Sequence, residues 1–170
     1  MYIDILILSQ ILNGPKHGYE IKRNIERALG GNIAVNNNML YPGLKRFEDG
    51  GIVRKVVVAQ KGKPSRTVYH ATQAAKKQLK KLIVDFPAGQ AGHPKEFFTR
   101  AIFLGMLTPP ERRRILAVRK VSLEKQAGLI DAVRGKPPAG RDRYFRLFMD
   151  FVGQRIKHEI LWISKLENVR

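Results

Sequence analysis

Asn36-Asn37-Asn38-Met39-Leu40-Tyr41-Pro42-Gly43-Leu44-Lys45-Arg46-Phe47-Glu48-Asp49-Gly50-Gly51-Ile52-Val53-Arg54-Lys55-Val56-Val57-Val58 is the stretch in which the hydrophobic period changes. Leu40, Leu44 and Phe47 stand at i, i+4 and i+7, one face of a helix, with asparagines in front as capping candidates and Asp49-Gly50-Gly51 as the stop. Pro42 has no backbone donor, so this helix is expected either to start near Asn38 or to begin distorted. From Ile52 onward β-branched residues dominate, and Thr67-Val68-Tyr69-His70 repeats that character beyond Gln60-Lys61-Gly62-Lys63-Pro64. Two strands joined by a basic turn are predicted.

Upstream, Ile3, Leu6, Ile7, Ile11 and Leu12 form one stripe at helical spacing, and Asn13-Gly14-Pro15 ends it, which predicts a helix over residues 2–12. Tyr19, Ile21, Ile25, Ala28 and Leu29 predict a second helix from about Lys16 to Leu29, with Gly30-Gly31 as its C-terminal stop. Downstream of the strands, Thr72 is a cap candidate for a helix over residues 74–84, whose Leu79, Leu82 and Ile83 face one way among lysines. The order helix, helix, helix, hairpin, helix is that of a winged helix-turn-helix, whose third helix enters the DNA major groove.

Phe86-Pro87-Ala88-Gly89-Gln90-Ala91-Gly92-His93-Pro94 is rich in Pro and Gly and is expected to be a loop at a domain boundary. Beyond it, residues 95–107 are amphipathic, Thr108-Pro109-Pro110-Glu111 is a helix-start signal, and Ile115, Val118, Leu129 and Val133 mark a long helix. Gly135-Lys136-Pro137-Pro138-Ala139-Gly140 breaks it, and residues 142–169 predict a last helix with an unusually broad apolar stripe. The expected fold is mainly α with a small β-hairpin wing: a winged helix-turn-helix over residues 1–85 and a C-terminal helical dimerisation domain over residues 93–170.

Charge and composition narrow the function. The 170 residues carry 32 Lys and Arg against 14 Asp and Glu, a formal charge of +18, with an ordinary 44% hydrophobic content. The excess is shared evenly, with 14 basic against 5 acidic residues up to position 80 and 18 against 9 after it. Such a field attracts nucleic acid, an anionic membrane surface or a ribosomal setting, and part of it is a solvated face. The absence of cysteine excludes disulfides, thiolate metal sites and cysteine nucleophiles, and fits a reducing cytoplasm. Residues 1–12 are too short for a membrane span and lack a basic leader. Four scattered His, no HExxH and no Gly-rich phosphate loop argue against an enzyme, and neither cofactor nor metal is expected.

Four stretches carry a family likeness: Gly14-Pro15-Lys16-His17-Gly18-Tyr19-Glu20-Ile21, Met39-Leu40-Tyr41-Pro42-Gly43-Leu44-Lys45-Arg46-Phe47-Glu48, the hairpin from Gly62-Lys63-Pro64-Ser65-Arg66 to Tyr69, and the last helix around Trp162. Together they resemble the PadR family of bacterial transcriptional regulators, in the subgroup with a longer C-terminal helical lobe. The resemblance implies a homodimeric repressor that binds a palindromic operator on double-stranded DNA through two winged helices and releases it in response to a small molecule. The chain departs from the family at Asn36-Asn37-Asn38-Met39, where a Ser/Pro-Gly-Thr-like lead-in is usual, and at Ala71 and Ala75, where Leu and Gly are common.

The DNA-binding candidates follow from this arrangement. An Asn amide pairs bidentately with adenine, so Asn36, Asn37 and Asn38 at the head of the third helix are candidates for base readout, with capping or a turn as the local alternative. Tyr41 and Lys45, one and two turns on, are candidates for phosphate contact; a solvated face is the alternative for Lys45. Lys16 and His17 are expected to open the second helix, where backbone N–H groups favour a phosphate. Lys61, Lys63 and Arg66 surround the hairpin tip. For the last helix, Tyr144, Phe148, Phe151, Val152, Ile156, Ile160, Trp162 and Ile163 are the dimerisation candidates, or else the buried centre of their own lobe. Trp162 is also the candidate contact for a small aromatic effector. A different class of function is a basic winged-helix module that binds a protein partner, RNA or anionic lipid and prefers no DNA site.

Overall fold

A computed structural model describes residues 1–28, 34–60, 63–135 and 142–169, with the backbone alone of Gln60, Lys63 and Pro64. The elements run α1 (Tyr2–Leu12), β1 (Lys16–His17), α2 (Gly18–Ala28), α3 (Asn37–Asp49), β2 (Val53–Gln60), β3 (Lys63–Ala71), α4 (Ala74–Val84), α5 (Ala88–Ala91), α6 (Pro94–Ala101), a 3-10 turn (Leu104–Met106), α7 (Pro109–Gly135) and α8 (Arg143–Glu167). The chain forms two compact units, Met1–Asp85 with Phe98–Met106, and Phe86–Phe97 with Leu107–Arg170. The fold is mainly helical with a small antiparallel sheet, as the order of periodicities predicts.

In the first unit, α1 is the centre. Ile3, Ile5, Leu6, Ile7, Leu8 and Ile11 are all buried, because α2, α3, α4 and β3 pack around it. The single stripe expected from the sequence is therefore too narrow: Ile5 and Leu8, off that stripe, are as inaccessible as Ile3. The α3 helix lies close against α1 because Gly43 leaves room, a Cβ there falling 2.9 Å from Ile7 Cδ1. At the same crossing Arg46 Nη2 donates to Asp4 Oδ1 at 2.6 Å, which ties the two helices. Pro42 is accommodated inside α3 at the cost of one backbone bond.

The sheet order is β1-β3-β2, all antiparallel. Residues 16 and 17, expected to open the second helix, instead form β1 opposite Tyr69 and Val68. Gly14, with φ of +115°, turns the chain back onto the hairpin, and the helix begins only at Gly18. The stripe of α2 is also narrower than expected: Ile21 and Ile25 are buried, whereas Tyr19 is exposed beneath the Arg23 guanidinium, 5.8 Å from its ring centre. The Gly30-Gly31 stop lies outside the described residues. The β2–β3 hairpin keeps a regular register from Val53↔Ala71 to Val58↔Arg66 and is irregular between Val58 and Gln60.

The α4 helix has its expected bounds, but Thr72 does not cap it. Its hydroxyl faces the carbonyl oxygens of Gly51 and Ile52, each at 2.9 Å, and so fastens the start of β2 to the end of β3. Arg100 is buried and donates from Nη2 to the Asp85 carbonyl at 2.8 Å, at the C-terminal end of α4. This contact places Phe98–Met106 in the first unit, a return the sequence pattern does not reveal.

In the second unit the Pro- and Gly-rich stretch holds the α5 turn rather than only loop, with Phe86 and Ala91 buried. Glu111 Oε2 accepts from the Thr108 backbone N–H at 2.8 Å at the start of α7, half of a capping box. The α8 helix is capped by Asp142, whose Oδ1 accepts from Phe145 N at 3.0 Å. The two long helices run antiparallel, since Arg119 meets Glu159 and Arg134 meets Asp150 at 2.6 Å. Lys136 to Gly140, the expected break between them, lie outside the described residues.

Candidate nucleic-acid interface

The head of α3 is built for exposure. Asn36 has extended backbone (φ −90°, ψ 164°), and its side-chain oxygen accepts from Met39 N at 2.9 Å. It is the N-cap, which satisfies one of the four backbone donors a helix start leaves over. Asn37 and Asn38 follow in the first helical turn with exposed side chains, while Leu40, Leu44 and Phe47 hold the opposite face in the core. The triplet thus divides, one residue capping and two presenting amides to solvent.

Beside α3 lies a groove of about 600 Å³ lined by Gly18, Tyr41, Lys55, Arg66, Thr67 and Tyr69, with His17 and Tyr19 at its edge. Tyr41 crosses the start of α2 so closely that a Cβ on Gly18 falls 3.1 Å from the phenol oxygen. Lys55 and Tyr69 are paired across the hairpin and share one face of it, as do Val57 and Thr67. Burial, then Glu48, then Tyr41 push the Tyr69 phenol above its ordinary pKa of 10.0, so it remains a neutral O–H at physiological pH. Among the described lining residues two are Lys or Arg and none is a carboxylate, which gives the groove one sign of potential next to the exposed asparagines.

Residues 7–81 match the transcriptional regulator PadR-like family. These residues form a PadR-like domain. The negative transcriptional regulator PadR of Bacillus subtilis (strain 168) is 23% identical over 129 residues, 76% of this chain and 69% of that one. A transcriptional regulator from Clostridium thermocellum, Cth-833, is 29% identical with a TM-score of 0.44, over 47% of this chain and 75% of that one. Bacillus subtilis PadR in complex with operator DNA is 18% identical, with a TM-score of 0.46 and 98% of each chain covered. The same Bacillus protein in complex with p-coumaric acid gives a TM-score of 0.39 at 18% identity, over 98% of this chain and 93% of that one. The family and the relatives that carry this domain are transcriptional regulators, not enzymes.

Within this PadR-like domain several sequence candidates change role. Lys16 Nζ donates to the carbonyls of Asn13 (3.1 Å) and Gly14 (3.3 Å), so it braces its own turn. His17 sits on β1, with Nδ1 3.6 Å from Glu20 Oε2, and the helix start expected at these two residues falls at Gly18. Lys45 is exposed and 3.5 Å from Asp49, a surface pair worth about 0–1 kcal/mol that leaves it free to exchange partners. Arg66 lines the groove. Lys61 and the Lys63 side chain lie outside the described residues. Lys55 is the groove cation that the sequence did not single out; its signal was alternation, because it stands opposite Tyr69 on the strand.

The last helix divides as well. Ile156 and Ile163 are buried within their own unit, which removes them from any surface offered to a partner. Val152, Ile160 and Trp162 are half-buried, and Trp162 meets Phe97 edge-on at 6.0 Å. Tyr144, Phe148 and Phe151 are 79%, 59% and 59% exposed, and Leu147 lies among them. Among the described residues no helix is long and apolar enough to cross a membrane, and no three His, Asp or Glu side chains gather as metal ligands.

Proposed function

We propose that the protein is a cytoplasmic homodimeric repressor that binds a palindromic operator and is released by a small aromatic effector. The observation that carries this reading is the exposed pair Asn37 and Asn38 beside a groove whose described lining holds Lys55 and Arg66 and no carboxylate. Asn37 and Asn38 meet base edges in the major groove, Asn36 holds the helix end in shape, and Tyr41, Lys55 and Arg66 take phosphates. Lys61 and Lys63, on either side of Gly62 in the sequence, add charge, and Lys45 adds it further along α3. The exposed aromatics Tyr144, Phe148 and Phe151 support a second copy as the partner, because rings of this size are enriched in subunit interfaces. The effector reading follows the p-coumaric acid bound by the Bacillus relative. It places a small aromatic ligand on the outer side of Trp162, in a groove of about 370 Å³ that also holds Leu161 and Lys165.

Competition binding on base-substituted duplexes separates the two kinds of contact. Arg66→Ala should weaken every duplex alike, whereas Asn37→Ala should lose preference at one base pair, worth about 1–3 kcal/mol of discrimination. Equal losses on all sequences for both variants would leave the basic interaction module, which prefers no site, as the function. For assembly, Phe148→Asp should turn the dimer into a monomer in sedimentation velocity and lower operator affinity by about a hundredfold or more, since linked half-sites act through effective concentration. A variant that sediments like the parent would place the interface elsewhere.

A further inference from the structure

At the open end of the α7–α8 pair lies a groove of about 310 Å³ that the DNA-binding reading does not use. Its apolar lining is Pro109, Leu116, Leu166 and Val169, all aliphatic, and its polar lining is Arg112, Arg113 and Glu167. Leu116 is almost fully buried and forms the floor, whereas Arg112 is half-buried and Arg113 exposed. Among the described residues neither arginine has an ion-pair or side-chain hydrogen-bond partner, although Glu167 lines the same groove. Two guanidiniums above an apolar floor, against one carboxylate among the described lining residues, call for an anion with a hydrocarbon body. No described lining residue is aromatic, which favours a flexible aliphatic chain over a planar one, and the volume lies at the small end of ligand pockets.

We infer that this groove binds a medium-chain aliphatic carboxylate, with the carboxylate held by Arg112 and Arg113 and the chain lying over Leu116 toward Leu166 and Val169. The site lies wholly within the second unit, so it stands or falls independently of the DNA-binding reading. Isothermal titration of the full chain with sodium octanoate tests it, with octan-1-ol, acetate and benzoate as comparison probes. Octanoate should saturate one site per chain, and each of the other three should bind at least about tenfold more weakly, lacking the charge, the chain or the flexible shape. The double variant Arg112→Gln/Arg113→Gln should lose at least about tenfold in octanoate affinity, the scale of lost hydrogen bonds to a charged group. Arg114→Gln, exposed and outside the lining, should bind as the parent does, and Glu167→Gln should bind more tightly. No saturable octanoate binding, unchanged affinity in the double variant, or benzoate binding as tightly as octanoate would each overturn the inference.

Discussion

Arg119→Ala is expected to destabilise the C-terminal helical unit by about 3–5 kcal/mol, the cost of breaking a buried ion pair by removing one partner. Arg119 is only 1% exposed. Its Nε and Nη2 donate to the two carboxylate oxygens of Glu159 at 2.7 and 3.0 Å, and its Nη1 donates to the Ala91 carbonyl. Its guanidinium also lies 5.5 Å from the centre of the Phe97 ring. One side chain on α7 thus holds α8, the α5 turn and the aromatic cluster in register. Its loss takes from the Glu159 carboxylate and the Ala91 carbonyl the donors that Arg119 supplies, at a point only slightly open to solvent. The lone tryptophan, Trp162, touches Phe97 and reports on this cluster without labelling. Urea unfolding followed by its fluorescence should show the midpoint lowered by roughly 2 M or more. Arg119→Met combined with Glu159→Gln should recover most of the loss, because no uncompensated charge then remains. A shift under about 1 kcal/mol for Arg119→Ala would show that the pair does not pin the two helices.

The second large effect is on DNA affinity. If each subunit neutralises about four to five phosphates, raising salt from 50 to 200 mM should weaken operator binding by about 10³- to 10⁵-fold. Lys55 and Arg66 in the groove and Lys45 along α3, with Lys61 and Lys63 on either side of Gly62 in the sequence, supply that number of cations. Fluorescence anisotropy of a labelled duplex at four or five salt concentrations yields the slope, and Arg66→Ala should flatten it by about one unit for each subunit. A slope near zero would mean that these cations do not meet phosphates.

The parts of the molecule legible in the sequence are those whose signal is local. The 11 residues of α4 announce themselves by an apolar face among lysines, and the hairpin by its β-branched runs. Asn36 is a cap because Asn is good at capping, whatever else surrounds it. What stayed hidden depends on partners far along the chain. Two residues are too few to show a period, so β1 emerges only when Tyr69 and Val68 are there to pair with it. The Thr72 hydroxyl reads as a helix cap, but its acceptors are the carbonyls of Gly51 and Ile52, about 20 residues earlier. Arg119 stands on the apolar face of α7 with Ile115, Leu116 and Leu123, where a charge is out of place by local pattern; only Glu159, 40 positions later, makes its burial tolerable. The aromatic stripe of α8 looked uniform because composition does not distinguish Ile163, facing its own lobe, from Phe151, facing solvent.

A chain without cysteine permits a single reporter at the position on which everything turns. Asn37→Cys, coupled to an iron-chelate cleavage reagent and bound to the operator, should cut DNA at two narrow clusters centred in the major groove, about one or two helical turns apart. Cutting spread evenly along the duplex, or strand scission confined to the minor groove, would contradict insertion of the α3 head between the base edges.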